Sequence, residues 1–375
     1  MVVASSSVRR GSAGSGMNEQ AGWQFLNHGG EVLPSVRVDG YNIGLRDKEG
    51  FVGDKANTGA FLEKLEELRL LYRKAGNDPL GEEATEEIKR KQIDEMLTGD
   101  DLNAAALVHG ALEEFARSLS GVIRRFLRTA SWQRTERIVI GGGFRESRVG
   151  RLAIARTQAL LSGEGVKVEV VPITLHPDEA GLIGSLHLLP PYVLANHDGM
   201  LAVDIGGRNI RAGIVLSQVD KQADLGRAKV EKLVIWRHAD DEPARTAAIG
   251  RLGEMLQDLR SRAEKNKIRL TPVIGVGCPG AIRPDGSIAR GGQNLPGANW
   301  EGANFNLPAA LLKFVPKIGG QATHIVLHND AVVQGLSEVP RMGDVKRWGI
   351  LTIGTGLGNA RFTNRKKEEG RASAR

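Results

Sequence analysis

Cysteine is almost absent from this sequence, because Cys278 is the only one in 375 residues. A single thiol excludes a disulfide within the chain and a Cys-rich zinc site, so no structural zinc is expected. Cys278 lies in an apolar segment, and we expect it to be a small buried residue rather than a nucleophile.

Long apolar runs and aromatic residues are also scarce. No run approaches the roughly 18 residues of a membrane span, so no membrane partner is expected. The net charge is +7, but no basic stripe is interleaved with aromatics, which make up 5% of the chain, and we therefore expect no nucleic-acid partner. Residues 1–16 lack the apolar core of a signal peptide, which predicts a disordered extension and a cytoplasmic protein.

The patterning of the chain changes along its length. Residues 83–97 and 101–127 have helical patterning, and Asn57 is placed to cap a helix before them. From residue 137 onward short apolar strands alternate with helices, which predicts an α/β protein of one large or two medium domains.

Residues 201–215, LAVDIGGRNIRAGIV, contain the clearest candidate for a ligand site. Two β-rich runs joined at Gly206 and Gly207 predict a hairpin. Glycines let backbone N–H groups approach an anion, and a carboxylate at the end of a strand, here Asp204, can hold a hydrated divalent cation. This pattern favours a nucleotide-phosphate site, although a plain structural hairpin would have the same features.

Four segments in this order resemble the ROK family of sugar kinases, within the actin-like ATPase superfamily. DIGGRNIRAGIV from Asp204 is similar to the first phosphate motif of that family, and LTIGTGLGNARF in residues 351–362 to the second. Residues 275–300, with QNLPG, resemble the sugar loop, and HNDAVVQGLSE in residues 328–338 the segment with the catalytic Asp. The resemblance implies a two-lobed actin-like (ribonuclease H-like) α/β fold with a central cleft, and a homodimer.

Two further matches occur in an unusual order. IVIGGGF in residues 138–144 resembles the adenosine-side glycine segment, and DEAGLIGSLHLL in residues 178–189 the closing helix. In the family both follow the second phosphate motif, whereas here they precede the first. We therefore expect a circular permutation; the alternative is an unrelated N-terminal domain. A permuted chain would have a larger lobe, residues 17–190 completed by 346–375, and a smaller lobe, residues 195–345.

The resemblance assigns Mg²⁺ and ATP to the two glycine hairpins. Asp204 would orient Mg²⁺ through water. Asp330 would be the general base, and because it directly precedes a helical stretch, the helix dipole is expected to keep it ionised; a simple helix cap is the alternative. The residues expected to bind ATP are Asp204, Gly206, Gly207, Arg208, Asn209, Gly354, Thr355, Gly356, Gly358, Gly141, Gly142 and Gly143.

The sugar side matches less well, because the Glu-x-Gly-His element and the Cys-rich loop of the family are missing. The closest analogue of that element is AGWQFLNHGGE in residues 21–31, which makes His28 and Glu31 candidates for sugar binding. Asn294 and Asn329 are amides able to hold sugar hydroxyls. Each of the two asparagines could instead be a turn-forming residue, and His28 a surface or core residue.

These features predict an ATP-dependent, glucokinase-like hexose kinase. Arg208 stands where the family usually has Thr. Together with the missing element, it leaves open a regulator of the same fold that binds sugar or nucleotide with little or no catalysis. A kinase for a non-sugar acceptor is a third reading.

Overall fold

Two mixed five-stranded β-sheets form the framework of the molecule. The structure, a computed structural model, describes residues 27–365. The strands in chain order are β1 (Val36–Tyr41), β2 (Arg46–Asp47), β3 (Gly50–Phe51), β4 (Arg137–Gly141), β5 (Glu169–Pro172), β6 (Gly199–Ile205), β7 (Ile210–Leu216), β8 (Lys229–Trp236), β9 (Leu270–Cys278), β10 (Ala281–Ile282), β11 (Ile288–Arg290), β12 (Lys317–Ile318), β13 (Gln321–Ala322), β14 (His324–Asn329), β15 (Arg347–Ile353) and β16 (Leu357–Asn364).

The α-helices lie between and around the sheets. They are α1 (Thr58–Lys74), α2 (Arg90–Thr98), α3 (Leu102–Leu127), α4 (Arg148–Gly163), α5 (Pro177–Gly184), α6 (Pro191–Leu194), α7 (His238–Asp241), α8 (Arg245–Lys265), α9 (Leu307–Leu312) and α10 (Asp330–Leu336). Short 3₁₀ helices cover Val52–Ala56, Ala130–Trp132, Gly143–Glu146, Ser185–Leu188 and Val339–Arg341. Within the described residues, no helix combines the length and apolarity that crossing a membrane requires.

The two sheets have the same arrangement of strands. In sheet I the order is β14-β9-β6-β7-β8, and in sheet II it is β1-β16-β15-β4-β5. Each contains a central hairpin, β6–β7 or β15–β16, with a third antiparallel strand beside its second arm. Two parallel strands follow on the other side of the hairpin. The predicted α/β class is therefore confirmed, with two related sheets.

The order of the strands along the chain differs between the sheets. Sheet I uses its five strands consecutively from β6 to β14, whereas the hairpin of sheet II comes last and its other three strands come first. The sheet is completed by pairing between β1 and β16, with Val36 opposite Asn364. Strands from both ends of the described chain are thus neighbours in sheet II.

Helices α5 and α10 cross between the sheets. Helix α5 follows β5 of sheet II but packs on β6 and β7 of sheet I. Helix α10 follows β14 of sheet I and packs on β15 and β16 of sheet II, as well as on β9. The two helices also pack against each other. Gly184 makes this contact possible, because a Cβ there would collide with the carbonyl oxygen of Val333.

The outer layers bury the remaining apolar surface. Helix α3 packs on α1, α2 and α4, and its buried side chains, among them Phe115 and Phe126, join a core that reaches sheet II. Helix α8 packs on β6 and β7 of sheet I. Burial of each large apolar side chain contributes about 1.5–3 kcal/mol, so these layers supply much of the stability.

Most predicted elements lie where the periodicity places them, with one clear exception. Asn57 caps α1, with its Oδ1 accepting a hydrogen bond from Ala60 N at 2.8 Å, and Asp101 caps α3. The helix predicted over residues 83–97 begins only at Arg90. The buried guanidinium of Arg69 binds the carbonyl oxygens of Gly81 and Glu83, which holds the preceding segment in turns.

Candidate functional site

Two aspartates lie at the carboxyl ends of neighbouring parallel strands in sheet I. Asp204 is near the end of β6, and Asp330 is the first residue of α10, directly after β14. Strand β9 runs between them, where Gly277 pairs with Asp204 on one side and His328 on the other. A Cβ on Gly277 would lie 3.4 Å from Asp204 Oδ1 and 3.6 Å from Asp330 Cα. This glycine therefore leaves the space between the two aspartates open.

Burial is the main cause that raises the pKa of both carboxyl groups, and the charge of another aspartate adds to it, Asp178 for Asp204 and Asp204 for Asp330. Loss of hydration and the nearby charge of Asp204 raise the pKa of Asp330 to about 7, against hydrogen bonds from the Ala331 N–H and Asn329 that lower it. Burial likewise raises the pKa of Asp204. Desolvation acts against the ionised form of Asp330 that the helix dipole was expected to favour, and that expectation stays a prediction. A pKa near 7 lets Asp330 accept or hold a proton near neutral pH.

Arg211 links Asp204 to a third carboxylate. Its Nε donates to Asp178 Oδ1 at 2.6 Å, and its Nη1 lies 3.4 Å from Asp204 Oδ2. Helix α5 approaches so closely that a Cβ on Gly181 would lie 2.7 Å from Asp204 Cγ. Sequence reasoning did not single out Arg211 or Gly181; in the motif Arg208 is the cation next to the hairpin glycines, and Arg211 follows three residues later. Together they fix where the Asp204 carboxylate points.

Carboxylate oxygens that could hold a divalent cation occur at two places. Asp204 offers one carboxylate near Asp330, and its role toward Mg²⁺ stays a prediction. Glu146, His176 and Asp178 form a second group, with ligand atoms within 4.8 Å of one another, at a more exposed position. Asp178 connects the two places through Arg211.

The first glycine turn is held by its own backbone and by His238. The Gly206 N–H donates to Asn209 O at 2.9 Å, and the Gly206 carbonyl oxygen lies 2.8 Å from the ring Nε2 of the buried His238. The Arg208 carbonyl accepts a hydrogen bond from Ala239 N, while its side chain is exposed. His238 follows β8, so nothing in the glycine motif indicated this contact.

The second glycine turn lies against the start of α1. The Gly354 N–H donates to Gly356 O, and Gly354 O accepts from Thr58 N, both at 3.0 Å. A Cβ on Gly358 would lie 3.2 Å from the Cβ of Ala331, the residue after Asp330. The second turn therefore meets the beginning of α10 as well as that of α1.

Asn294 brings the two glycine turns together. A Cβ on Gly207 would lie 3.5 Å from Asn294 Cβ and 3.8 Å from Thr355 Oγ1, and one on Gly356 would lie 3.9 Å from Asn294 Nδ2. The Asn294 side chain is exposed. It is thus placed beside both predicted phosphate turns, which approach each other closely at this point.

The glycines at residues 141–143 lie next to the second turn, because β4 pairs with β15 in parallel. Protein contacts account for all three. The Gly142 N–H donates to Gln334 Oε1 at 3.0 Å, and its φ of +81° places it against Ile353 O. A Cβ on Gly141 would meet the same Gln334 oxygen, and Gly143 O accepts from Arg90. The predicted contact with adenosine stays a prediction.

The remaining sugar-binding candidates are engaged in local structure. Asn329 is buried, its Oδ1 caps α10 at Ala331 N and Val332 N, and its Nδ2 donates to Gly280 O at 3.0 Å. A helix cap was the alternative role for Asp330, and in the structure Asn329 is the residue that caps α10.

His28 and Glu31 belong to a segment beside β14. His28 Nδ1 accepts a hydrogen bond from Leu327 N at 3.1 Å, three residues and about 10 Å of extended strand before Asp330. Burial lowers the pKa of His28. Glu31 is exposed and its carbonyl accepts from Val38 N. Residues 21–26, the first part of the AGWQFLNHGGE segment, lie outside the described part of the chain.

No known family model matches this chain, and no curated protein matches its sequence.

Proposed function

We propose that the protein transfers the γ-phosphoryl group of ATP to a sugar hydroxyl, as the resemblance to ROK kinases implies. The observation that carries the proposal is the pair Asp204 and Asp330 on either side of Gly277. They lie at the edge of sheet I where the glycine turn of β6–β7 also lies. A general base, a metal-binding carboxylate and a glycine turn are the groups that phosphoryl transfer needs.

The arrangement of strands supports an actin-like, ribonuclease H-like fold in permuted order. Both sheets have the same strand order, and α5 and α10 each cross to the opposite sheet. Such a duplicated architecture places one glycine hairpin in each half, and the two turns meet at Asn294. Pairing of β1 with β16 supports permutation over an unrelated N-terminal domain, because the early strands complete the sheet of the late hairpin.

In the proposed reaction, Asp330 removes the proton of a sugar hydroxyl as its oxygen attacks the γ-phosphorus. The bond from that phosphorus to the β–γ bridging oxygen breaks, ADP leaves, and the proton stays on Asp330. Asp204 fits Mg²⁺ by the hard carboxylate oxygen it offers, and Arg211 would orient that carboxylate without binding the ion itself. When bound, Mg²⁺ would supply positive charge to the polyphosphate.

Entry of a nucleotide requires the two glycine turns to separate. The two turns approach each other closely at Asn294, as they would in a closed state of the proposed cleft. The crossing of α5 and α10 is the contact between halves about which they could rotate. Reclosure would exclude water and limit hydrolysis of ATP.

An assay of ADP release with Mg²⁺–ATP over a panel of hexoses tests the proposal. Sugar-dependent ADP release, with a phosphorylated sugar found by mass spectrometry, is the expected result. ADP release that no sugar stimulates would contradict it.

The close approach of the two glycine turns and the exposed Arg208 favour a second candidate function. In it the protein binds sugar or nucleotide but does not catalyse phosphoryl transfer. Calorimetry separates the two: tight sugar binding without phosphorylated product supports the binder, whereas binding with product supports the kinase.

A further inference from the structure

A groove with a basic wall lies between helix α3 and the segment from β2 to the 3₁₀ helix Val52–Ala56. Its volume is about 430 Å³, within the range of small-molecule sites. Both aspartates of the candidate site lie at one edge of sheet I, in β6 and directly after β14, whereas this groove belongs to the helical layer over sheet II. Its charged lining is one acid and five cations: Asp47, Lys55, Arg117, Arg124, Arg125 and Arg128.

Two of the five cations form no ion pair in the described structure, although the charge of Arg125 is a minor cause of the lowered pKa of Asp47. The other three pair with carboxylates: Lys55 with Asp47 and Glu49, Arg117 with Glu113, and Arg124 with Glu164. Arg125 donates to the Arg46 carbonyl at 3.2 Å, and neither Arg125 nor Arg128 forms an ion pair within residues 27–365. Both side chains are exposed. The groove therefore keeps a positive charge that the described protein does not neutralise.

The helix dipole explains part of this pattern. Basic residues in the last turn of a helix stabilise it, and Arg125 and Arg128 end α3 in that way. The dipole does not account for Lys55, which comes from a different element, or for Arg117, two turns earlier, facing the same cavity. Cations from two elements, Lys55 and the arginines of α3, thus surround a groove large enough for a small molecule, as in an anion-binding site.

We propose that this groove binds a small anion carrying two or more phosphate or carboxylate groups. Arg125 and Arg128 are three residues apart on α3, so their guanidinium groups lie on one face of the helix. Each guanidinium can make paired hydrogen bonds to one phosphate or carboxylate group. A ligand with two such groups would satisfy both, whereas a single group would leave one unpaired.

The groove is connected to the second glycine turn through a short segment. Val52 lines the groove, and a Cβ on its neighbour Gly53 would lie 3.2 Å from Leu357 Cβ at the start of β16. Helix α1 then begins at Thr58, whose N–H holds Gly354 O. A ligand in the groove therefore contacts the segment that supports this turn, in the position of a modulator rather than a substrate.

Hydrogen–deuterium exchange with and without inorganic tripolyphosphate tests the proposal. It reports where the probe binds, so binding in the cleft cannot be mistaken for binding in the groove. We expect tripolyphosphate to slow exchange in peptides covering residues 46–56 and 117–128 of the wild type. The double variant Arg125→Glu with Arg128→Glu should lose this protection, and calorimetry should show its affinity reduced at least about tenfold, as expected when two charge-assisted contacts are lost.

The matched control is Arg262→Glu with Lys265→Glu, which reverses the same number of charges in the last turn of α8. It should keep protection at both peptides. The variant Arg125→Ala with Arg128→Ala repeats the test without introducing acids and guards against misfolding, which circular dichroism also checks. Absence of protection in the wild type would overturn the proposal, and so would equal protection in the Arg125/Arg128 variants or equal loss in both charge-reversed pairs.

Discussion

At the scale of single residues, the position of Asp204 in β6 depends on a glycine of helix α5. Gly181 of α5 packs so closely that a methyl group would lie 2.7 Å from Asp204 Cγ. Arg211 fixes the same carboxylate from the other side. The position of Asp204 is thus set by its hairpin partner Arg211 and by Gly181, which lies in a different element.

Gly181→Ala should displace the Asp204 carboxylate and weaken Mg²⁺ binding by about 10- to 100-fold, the range seen when the surroundings of a metal ligand change. The Mg²⁺ concentration giving half-maximal activity or binding measures the effect. Gly163→Ala in α4 is the control, because its added methyl group meets nothing within 4 Å. An unchanged Mg²⁺ requirement in Gly181→Ala would show that Asp204 does not hold the ion.

His187 makes stability depend on pH. It is buried in Ser185–Leu188, and burial lowers its pKa to about 4, from an ordinary value of 6.5. Between about pH 4 and 6.5, His187 is therefore protonated in the unfolded chain but neutral in the folded protein. The stabilisation is complete above about pH 6.5 and is lost as the pH falls towards 4, with a slope of at most about 1.4 kcal/mol per pH unit.

Urea unfolding at several pH values measures this slope. His187→Gln should reduce the loss of unfolding free energy between pH 6.5 and 4, whereas His109→Gln, at an exposed position of α3, should leave it unchanged. Identical slopes for wild type and His187→Gln would rule out a neutral buried imidazole at this position.

At the scale of elements, the crossing of α5 and α10 is the contact that joins the two halves. It rests on Gly184, where a Cβ would overlap the carbonyl of Val333. Gly335 of α10 packs in turn on Phe362 of β16, which a methyl group would approach to 2.8 Å. Small residues thus let backbone approach backbone at the crossing.

Gly184→Ala should destabilise the protein by about 1–3 kcal/mol, the usual cost of overpacking. Gly250→Ala in α8 is the control, because it has nothing within 4 Å and should be neutral or stabilising by about 0.5–1 kcal/mol. Thermal or urea unfolding compares them. Equal stability of the two variants would indicate that the helices can move apart at no cost.

Periodicity and caps predicted most of these elements, since α3 and its cap Asp101 depend on residues close together in sequence. The helix over residues 83–97 was predicted too long because the constraint comes from Arg69, which no local pattern reveals. The motif glycines were recognised, but several serve protein contacts, such as Gly142 against Ile353. Asn329 as a cap and His28 on Leu327 depend on tertiary structure and could not be read from the chain.

At the scale of the whole molecule, the two sheets are related by a shift of chain order. The Ser35 carbonyl accepts a hydrogen bond from Arg365 N at 3.0 Å, so the two ends of the described chain lie side by side. In sequence, the segment between α6 and β6 separates β5, the third strand of sheet II, from β6, the first strand of sheet I. If the ends near Ser35 and Arg365 were joined and the chain were opened between α6 and β6, each sheet would have its strands in consecutive order.

A rearranged gene tests this relation. It begins at Asp198 and joins Arg365 to Asn27 through a short flexible linker. We expect it to fold cooperatively with a melting temperature within about 5 °C of the wild type, because no sheet contact is broken. A variant that joins the same ends but begins at Asn209, inside the first glycine turn, is the control and should lose stability. Failure of the Asp198 variant to fold would contradict the duplicated arrangement.

The central claim is that Asp330 is the base of a phosphoryl transfer, and its removal is the most direct test. Asp330→Asn keeps the shape of the side chain and removes the proton acceptor, while Asp258→Asn, at an exposed position of α8, is the matched control. With Mg²⁺–ATP and the best sugar of the panel, kcat of Asp330→Asn should fall by about 10²–10⁴-fold, and Asp258→Asn should retain wild-type kcat. A wild type that phosphorylates sugar while Asp330→Asn matches its kcat would contradict the account.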